Sequence, residues 1–339
     1  MAANVYRCIL TGLGGRGRHW ARILAARTDC EIVACAEPHE PNRRLAADLP
    51  LAAERIFPSL AEALKHAPAD FVMDVTPPAV HHQVAEQAFA AGLHVLGEKP
   101  LSDDFDVARQ LAALGRAAGR QHMITQNYRF QPPARHARAL LADGLIGRPE
   151  QCDIRFYMNW ADLPGSHYVN QPYMFIKDMM VHHFDLLRFI LGADPVAVQA
   201  ITWNHSWSWL KGDSAHAILF EFPNNLFATH VSCGCAVGSR TTSNGDWRIE
   251  GPQGSLDWKD TALWHNHLHR TETPVQRSLD LPEMPTPEQA IVSEFFAAIA
   301  ERRDPECSAT DNLKSLAMVF ATIRSAEEGR RVELAELSR

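Results

Sequence analysis

The 339-residue chain has no apolar run long enough to cross a bilayer. Its opening "MAANVYRCILTGLGG" lacks the basic region, apolar stretch and small-residue cleavage site of a secretory signal. It has no basic excess either: 33 Lys and Arg face 40 Asp and Glu, for a net charge of −7. With no cationic surplus to neutralise phosphates, neither a nucleic acid nor a membrane is an expected partner. There is no H-E-x-x-H pattern, no internal repeat and no low-complexity linker. Seven cysteines are scattered, and only Cys233 and Cys235 lie close in sequence. An odd, dispersed set predicts reduced thiols in a cytoplasmic protein rather than a disulfide framework. Cys233 and Cys235 read as packing residues. Asp178 and His182 with His265, His267 and His269 of "HNHLH" are a conceivable ligand set. Without supporting thiolate pairs, the expectation is no protein-bound metal, and these three histidines on a solvated strand.

What is present is an ordinary globular composition, 46% apolar and 22% charged. The length exceeds what one core usually serves, so two domains are expected, 1–126 and 127–339. In the first, short apolar runs alternate with alanine-rich helical stretches. "VYRCILTG", "EIVACAEP", "FVMDVTPP", "LHVLGEKP" and "QHMITQNY" predict strands, and "AVHHQVAEQAFAAG" and "DFDVARQLAALGRAAG" predict helices. Such alternation implies an α/β domain with a parallel sheet of the Rossmann type. Beyond it, one helix over about 174–191 precedes the alternating segments "PVAVQAITW", "SAHAILFEF", "LFATHVSCG", "DWRIEGP" and "GSLDWKD". These predict an α+β domain with an open, mostly antiparallel sheet, followed by helices at about 286–303 and 310–328.

"TGLGGRGRHW" places Gly12, Gly14 and Gly17 as G-x-G-x-x-G between a strand and a helix, with Leu13, Gly15 and Arg16 in the same turn. Such a turn brings backbone N–H groups against a pyrophosphate. Glu37 closes the second strand about twenty residues further on, where an acid accepts from ribose hydroxyls and repels a 2′-phosphate. NAD is therefore the expected cofactor, with Arg43 and Arg44 keeping NADP in view.

In "IKDMMVHHFDLLRFILG", apolar residues cover nearly the whole helix surface, which predicts burial. Asp178, His182 and Asp185 fall on one narrow face. They either form an internal polar network, with Asp185 pairing Arg188, or line a cavity.

"VLGEKPLSDD" ends a buried strand in Glu98-Lys99-Pro100. Ligands of open parallel sheets lie beyond the carboxyl ends of the strands. Pro100 denies Lys99 helical geometry. A surface lysine paired with Glu98 or Asp103 is the plain alternative; the strand-end position argues for a functional one.

With the glycine turn, "TPPAVHH", "AGLHVLGEKPLS", "QNYRF" (with Asn127 and Arg129), "GLIGRPE", "DMMVHHFD" and "SAEEGRRVEL", the chain resembles the glucose-fructose oxidoreductase/inositol dehydrogenase family over nearly its whole length. The resemblance implies a Rossmann domain followed by an open-faced sheet domain that often mediates oligomers, here a homodimer or homotetramer. It implies catalytic roles for Lys99, Asp178 and His182. It sets Thr76, Pro77 and His81 near the cofactor, together with Glu98, Lys99 and Asn127. The chain departs from the family in "QPYMFIKD", where many members carry glycines, in Met180, and in Glu37, where aspartate is commoner.

The expected reaction removes hydride from a secondary alcohol to nicotinamide. His182 would be the base, Asp178 its orienting or substrate-holding partner, and Lys99 the donor to the reacting oxygen. The substrate would be a sugar or polyol. Trp160, Trp203, Trp207 and Trp209 are available to stack on it, and Arg129, Asn159, His167 and Tyr168 to hydrogen-bond it. Two rival readings are an NAD-assisted glycoside cleavage through transient oxidation at C3, and a non-enzymatic dinucleotide sensor.

Overall fold

The computed structural model describes residues 5–45, 51–159, 167–267 and 275–338. The chain divides into two compact units, residues 1–126 with 288–313, and residues 127–287 with 314–339.

In the first unit the apolar runs become β1 (Tyr6–Thr11), β2 (Cys30–Ala36), β3 (Ile56–Phe57), β4 (Phe71–Asp74), β5 (His94–Gly97) and β6 (His122–Ile124). The strands pair in the order β3-β2-β1-β4-β5-β6, all parallel. Between them run α1 (Gly15–Ala25), α2 (Glu40–Arg44), α3 (Leu60–His66), α4 (His81–Ala90) and α5 (Phe105–Ala117). Side-chain caps start two of these helices: Ser59 accepts from Glu62 N at 3.2 Å, and Asp104 from Val107 N at 3.0 Å. The strand order reverses at β1 and β4, so the crevice at their carboxyl ends is the switch point of a doubly wound sheet. The short strand β3 has too few residues to show a period and is absent from the sequence reading.

Residues 288–313 return to this unit, a feature that a division at 126/127 does not contain. The cause is aromatic packing. In α8 (Pro287–Glu301), Phe295 and Phe296 meet Phe71 edge-on at 5.4 and 5.6 Å, and Phe296 stacks on Tyr6 at 4.3 Å. Ile124 N then donates to Cys307 O at 2.8 Å.

The second unit holds a sheet in the order β14-β13-β12-β11-β7-β10-β9-β8-β15. Its strands are β7 (Gln151–Tyr157), β8 (Ala197–Trp203), β9 (Ala215–Phe222), β10 (Leu226–Cys233), β11 (Asp246–Gly251), β12 (Gly254–Lys259), β13 (Ala262–His267), β14 (Val275–Leu279) and β15 (Val332–Glu333). Only β7 with β10 is parallel among these pairings. Asn224 and Asn225, both at positive φ, make the β9–β10 turn. β7 alternates cleanly, with Cys152, Ile154 and Phe156 inward, and joins the strands read from sequence. Outside the sheet lie α6 (Pro132–Ala142), α7 (Val181–Leu191) and α9 (Ala309–Glu328).

The helix expected over about 174–191 is not uniform. A π-helical turn, Ile176–Met180, leads into α7. A π turn is wider than an α turn, so Asp178 and His182 are not related by one regular α-helical turn. Residues Val181 to Ile190 are all buried, as an all-round apolar surface requires. Phe184 packs edge-on against Phe220 of β9 at 4.9 Å. The opposite face of the sheet exposes Ile201, Trp203, Leu219 and Phe227. No helix among the described residues is long and apolar enough to cross a membrane.

Candidate functional site

The glycine turn has the shape its chemistry asks for. Gly12 has φ +84°, and a Cβ there would stand 2.7 Å from Val75 O. A Cβ on Gly17 would lie 1.9 Å from Gly12 O, so α1 can approach β1 only with glycine at both positions. Around Gly14 and Gly15 nothing lies within 4 Å of such a Cβ. That open space beside the start of α1 is what a pyrophosphate needs.

Glu37 is buried at 4% exposure, and its carboxylate closes the turn. Oε2 accepts from Leu13 N at 2.7 Å and Asn42 Nδ2 at 3.2 Å, and Oε1 from His39 N at 2.8 Å. Arg43 donates to the carbonyls of Glu37 and Pro38, each at 2.8 Å, while Arg44 pairs with Glu40. Both arginines that would favour a 2′-phosphate are thus engaged locally.

Glu98 is likewise buried. Its Oε1 accepts from Arg16 Nε at 2.6 Å and from Trp20 Nε1 at 2.5 Å. Oε2 accepts from Lys99 N at 3.2 Å. Glu98 therefore ties the end of β5 to α1, and the half-buried Lys99 follows it, joined to Pro100 by a cis peptide. Lys99 pairing with Glu98 as an exposed ion pair is not what the fold shows: that carboxylate is taken up by Arg16 and Trp20. His81 bridges the next loops, with Nε2 2.8 Å from Thr76 O and Nδ1 3.1 Å from Pro100 O. Thr76 is fixed in turn by Asp74, which accepts from Thr76 Oγ1 at 2.6 Å and Thr11 Oγ1 at 3.2 Å. Asp74 is missing from the sequence reading; its place at the end of a strand beside "TPP" was the available signal.

In the second unit, Tyr128 stacks on His182 at 4.3 Å and 14°. Burial pushes the Tyr128 phenol above its ordinary value, against the opposing hydrogen bond with Ser243, and the negative charge of Asp178 adds a smaller upward push. Tyr128 and His182 are thus in direct contact. Tyr128 was missed, although it sits between Asn127 and Arg129.

Asp185 pairs with Arg129 rather than with Arg188. Arg129 Nε donates to Asp185 Oδ2 at 2.8 Å, its Nη2 donates to Oδ1, and Ser315 Oγ donates to Oδ1 at 2.9 Å. Arg188 turns to Asp194 at 2.7 Å and Ser315 at 2.8 Å. Arg129 is 5% exposed and lies over the Phe189 ring, so its guanidinium serves this buried pair.

Behind His182 runs a buried row of histidines that sequence reading also missed. His183 Nε2 lies 2.8 Å from Ser243 O, which can only accept. His183 Nδ1 must then accept from His230 Nε2 at 2.9 Å, His230 Nδ1 from His216 Nε2 at 3.0 Å, and His216 Nδ1 from Ser232 Oγ at 3.1 Å. Burial lowers all three, His183 to about 4, His216 to about 3 and His230 well below the usual value.

Trp160 lies outside the described residues, as do the side chains of His167 and Tyr168 and all of His269. Asn159 pairs as an isolated bridge with Cys235. Trp207 donates its indole N–H to Cys235 O at 3.0 Å, and Trp203 belongs to the exposed sheet face. Asp178 and His182 do not join His265 and His267 in a metal-capable group. Among the described residues such a group is formed by His205, Cys233 and Cys235.

Two family models match the chain. Residues 6–126 match an oxidoreductase family with an NAD-binding Rossmann fold, and residues 134–257 match the GFO/IDH/MocA C-terminal domain. D-apiose dehydrogenase of Paraburkholderia graminis is 28% identical, over 98% of this chain and 90% of its own. Inositol 2-dehydrogenase of Leifsonia xyli subsp. xyli is 31% identical, over 74% of this chain and 76% of its own. An oxidoreductase from Agrobacterium radiobacter, solved in complex with NAD+, L-tartaric acid and magnesium, shares the fold with a TM-score of 0.88. It is 21% identical, and the match covers 98% of this chain and 99% of that one.

Proposed function

Because the chain belongs to the GFO/IDH/MocA oxidoreductase family, we propose that it is an NAD-dependent dehydrogenase of a secondary hydroxyl on a sugar or polyol. The relatives named for apiose and inositol support that substrate class. The observation that carries the reading is Glu98. A buried carboxylate held by Arg16 and Trp20 anchors Lys99 beyond the carboxyl end of β5, in the same unit as the glycine turn.

The residues divide the work as follows. The N–H groups from Gly14 to Gly17 hold the pyrophosphate, while Leu13 N is taken by Glu37, which meets the adenosine ribose. Local engagement of Arg43 and Arg44 favours NAD over NADP. Thr76, Pro77, His81 and Asn127 border the cofactor. When bound, nicotinamide supplies the hydride acceptor. Lys99 donates to the reacting oxygen and stabilises its alkoxide character. His182 accepts the hydroxyl proton, its ring plane held by Tyr128. Asp178 holds a neighbouring substrate hydroxyl, and Asn159, His167 and Tyr168 are further polar contacts.

The exposed apolar face of β8 to β10 supports a homodimer or homotetramer through this sheet, since Ile201 alone is 66% exposed. Seven free thiols suit the cytoplasm. A panel of sugars and polyols, screened for formation of reduced nicotinamide, tests the reading. A substrate that yields NADH supports it. Tight NAD binding with no turnover on any member, or glycoside cleavage without NADH release, counts against it.

A further inference from the structure

We propose that His205, Cys233 and Cys235 form a binding site for one thiophilic divalent cation, Zn2+, which pins the loop after β8 to the end of β10. The three donor atoms lie within 4.8 Å of one another. Cys233 Sγ is 3.8 Å from Cys235 Sγ, and Cys235 Sγ is 3.5 Å from His205 Nδ1. A tetrahedral zinc with Zn–S of about 2.3 Å and Zn–N of about 2.0 Å sets S···S near ~3.8 Å and S···N near ~3.5 Å. These two distances match such a centre, and the third, from Cys233 Sγ to His205, lies within 4.8 Å. A Cys–Cys disulfide would need the sulfurs at about 2.0 Å.

The backbone around the thiols is fixed independently of them. Met158 N donates to Cys233 O at 3.0 Å, Gly234 N to Ser214 O at 2.7 Å, and Ala236 N to Met158 O at 2.9 Å. The Phe175 ring lies so close that a Cβ on Gly234 would meet it at 2.9 Å. Around the sulfurs stand partners of the kind that orient metal ligands. Ser214 Oγ is 3.3 Å from Cys235 Sγ, and Trp207 Nε1 donates to Cys235 O. Cys235 is 3% exposed and Cys233 half-buried, while His205, also half-buried, provides the entry side.

On binding, both thiols release their protons to solvent and the imidazole donates its Nδ1 lone pair. Two thiolates balance the dication, and the fourth position remains for water or a small ligand. His205 must then carry its proton on Nε2. Trp203 Nε1, now 3.4 Å from that nitrogen, has to turn away, which its 37% exposure permits. The site uses none of Lys99, Asp178 and His182, so it stands or falls independently of the proposed dehydrogenase reaction.

The test uses the full chain, reduced, stripped of metal and handled anaerobically, titrated with Co2+ as a spectroscopic probe of a zinc site. Expected are one equivalent bound per chain, thiolate-to-metal charge-transfer absorption with tetrahedral d–d bands, displacement by Zn2+, and altered tryptophan emission from Trp203 and Trp207. Cys233→Ser and Cys235→Ser should each abolish the charge-transfer intensity or cut it at least by half. His205→Gln, at a half-buried loop position that the fold tolerates, should weaken Zn2+ binding at least tenfold and raise no doubt about folding. Overturning results are absence of a thiolate band in the wild type, an unchanged band in Cys233→Ser/Cys235→Ser, or unchanged affinity in His205→Gln. A chain that forms a Cys233–Cys235 disulfide in air and binds no metal once reduced would equally refute the site.

Discussion

The indole Nε1 of Trp20 donates to Glu98 Oε1 at 2.5 Å, inside a protein where neither residue reaches solvent freely. The same oxygen takes Arg16 Nε at 2.6 Å. One carboxylate thus fastens the helix that opens at the glycine turn to the strand end that presents Lys99.

Removing that carboxylate should have two separable effects. Glu98→Ala leaves the buried Trp20 indole N–H without an acceptor, which costs about 1–3 kcal/mol, while the exposed Arg16 guanidinium keeps water and Glu288. It should also lower turnover by releasing Lys99. Glu98→Gln keeps one carbonyl acceptor and should lie between wild type and alanine in both. Urea denaturation and steady-state kinetics on the two variants check this; full activity in Glu98→Ala would remove Glu98 from the account.

Glu37 sets cofactor choice on the proposed reading, and its carboxylate also holds the turn by accepting from Leu13 N. Glu37→Ser should weaken NAD binding at least about tenfold, equivalent to about 1.4 kcal/mol. It should also shift preference toward NADP by removing the charge that opposes a 2′-phosphate. Titrating both cofactors into both proteins decides it, and tighter NADP binding by the wild type would contradict the reading.

Asp185 and Asp178 should part company. Asp185 is 1% exposed and paired with Arg129, so Asp185→Ala takes that carboxylate from a buried guanidinium at a cost of about 3–5 kcal/mol. Asp178 is half-buried, and Asp178→Asn should lower turnover with little change in melting temperature. The reverse pattern would exchange their roles.

The histidine row predicts acid sensitivity. In the folded chain His183 and His216 are lowered to about 4 and about 3, and His230 falls well below its usual value. The unfolded chain binds a proton at each near pH 6.5. Stability is therefore unaffected above about pH 6.5 and is lost as pH falls toward 4, at up to about 1.4 kcal/mol per pH unit for each histidine. Denaturation curves between pH 7 and pH 5 should show this slope, and His216→Gln should flatten it.

The parts of this molecule that follow a local rule were legible beforehand. The glycine turn, the five longer strands of the first unit and the burial of α7 all follow from spacing and periodicity. What escaped depends on residues distant in sequence. Asp185 chose Arg129 over the nearer Arg188 because α7 and the turn at Asn127–Phe130 pack together. Residues 288–313 return to the first unit through Phe295 and Phe296, whose partner Phe71 lies far upstream. His216 and His230 meet through strand register, and His205 reaches Cys233 and Cys235 through a loop, neither of which a one-dimensional pattern records.

Lys99→Ala tests the central claim most directly. NAD binding should remain within a few-fold of wild type, since on the proposed reading the glycine turn and Glu37 hold the other end of the cofactor. Turnover should fall by about two to three orders of magnitude, the usual cost of losing a donor that stabilises developing charge. Lys99→Arg should restore little, because a broad guanidinium does not replace a compact ammonium. The measurement is turnover and NAD affinity on the same preparations, using a substrate found in the sugar and polyol screen. A Lys99→Ala protein with unchanged turnover would contradict the account.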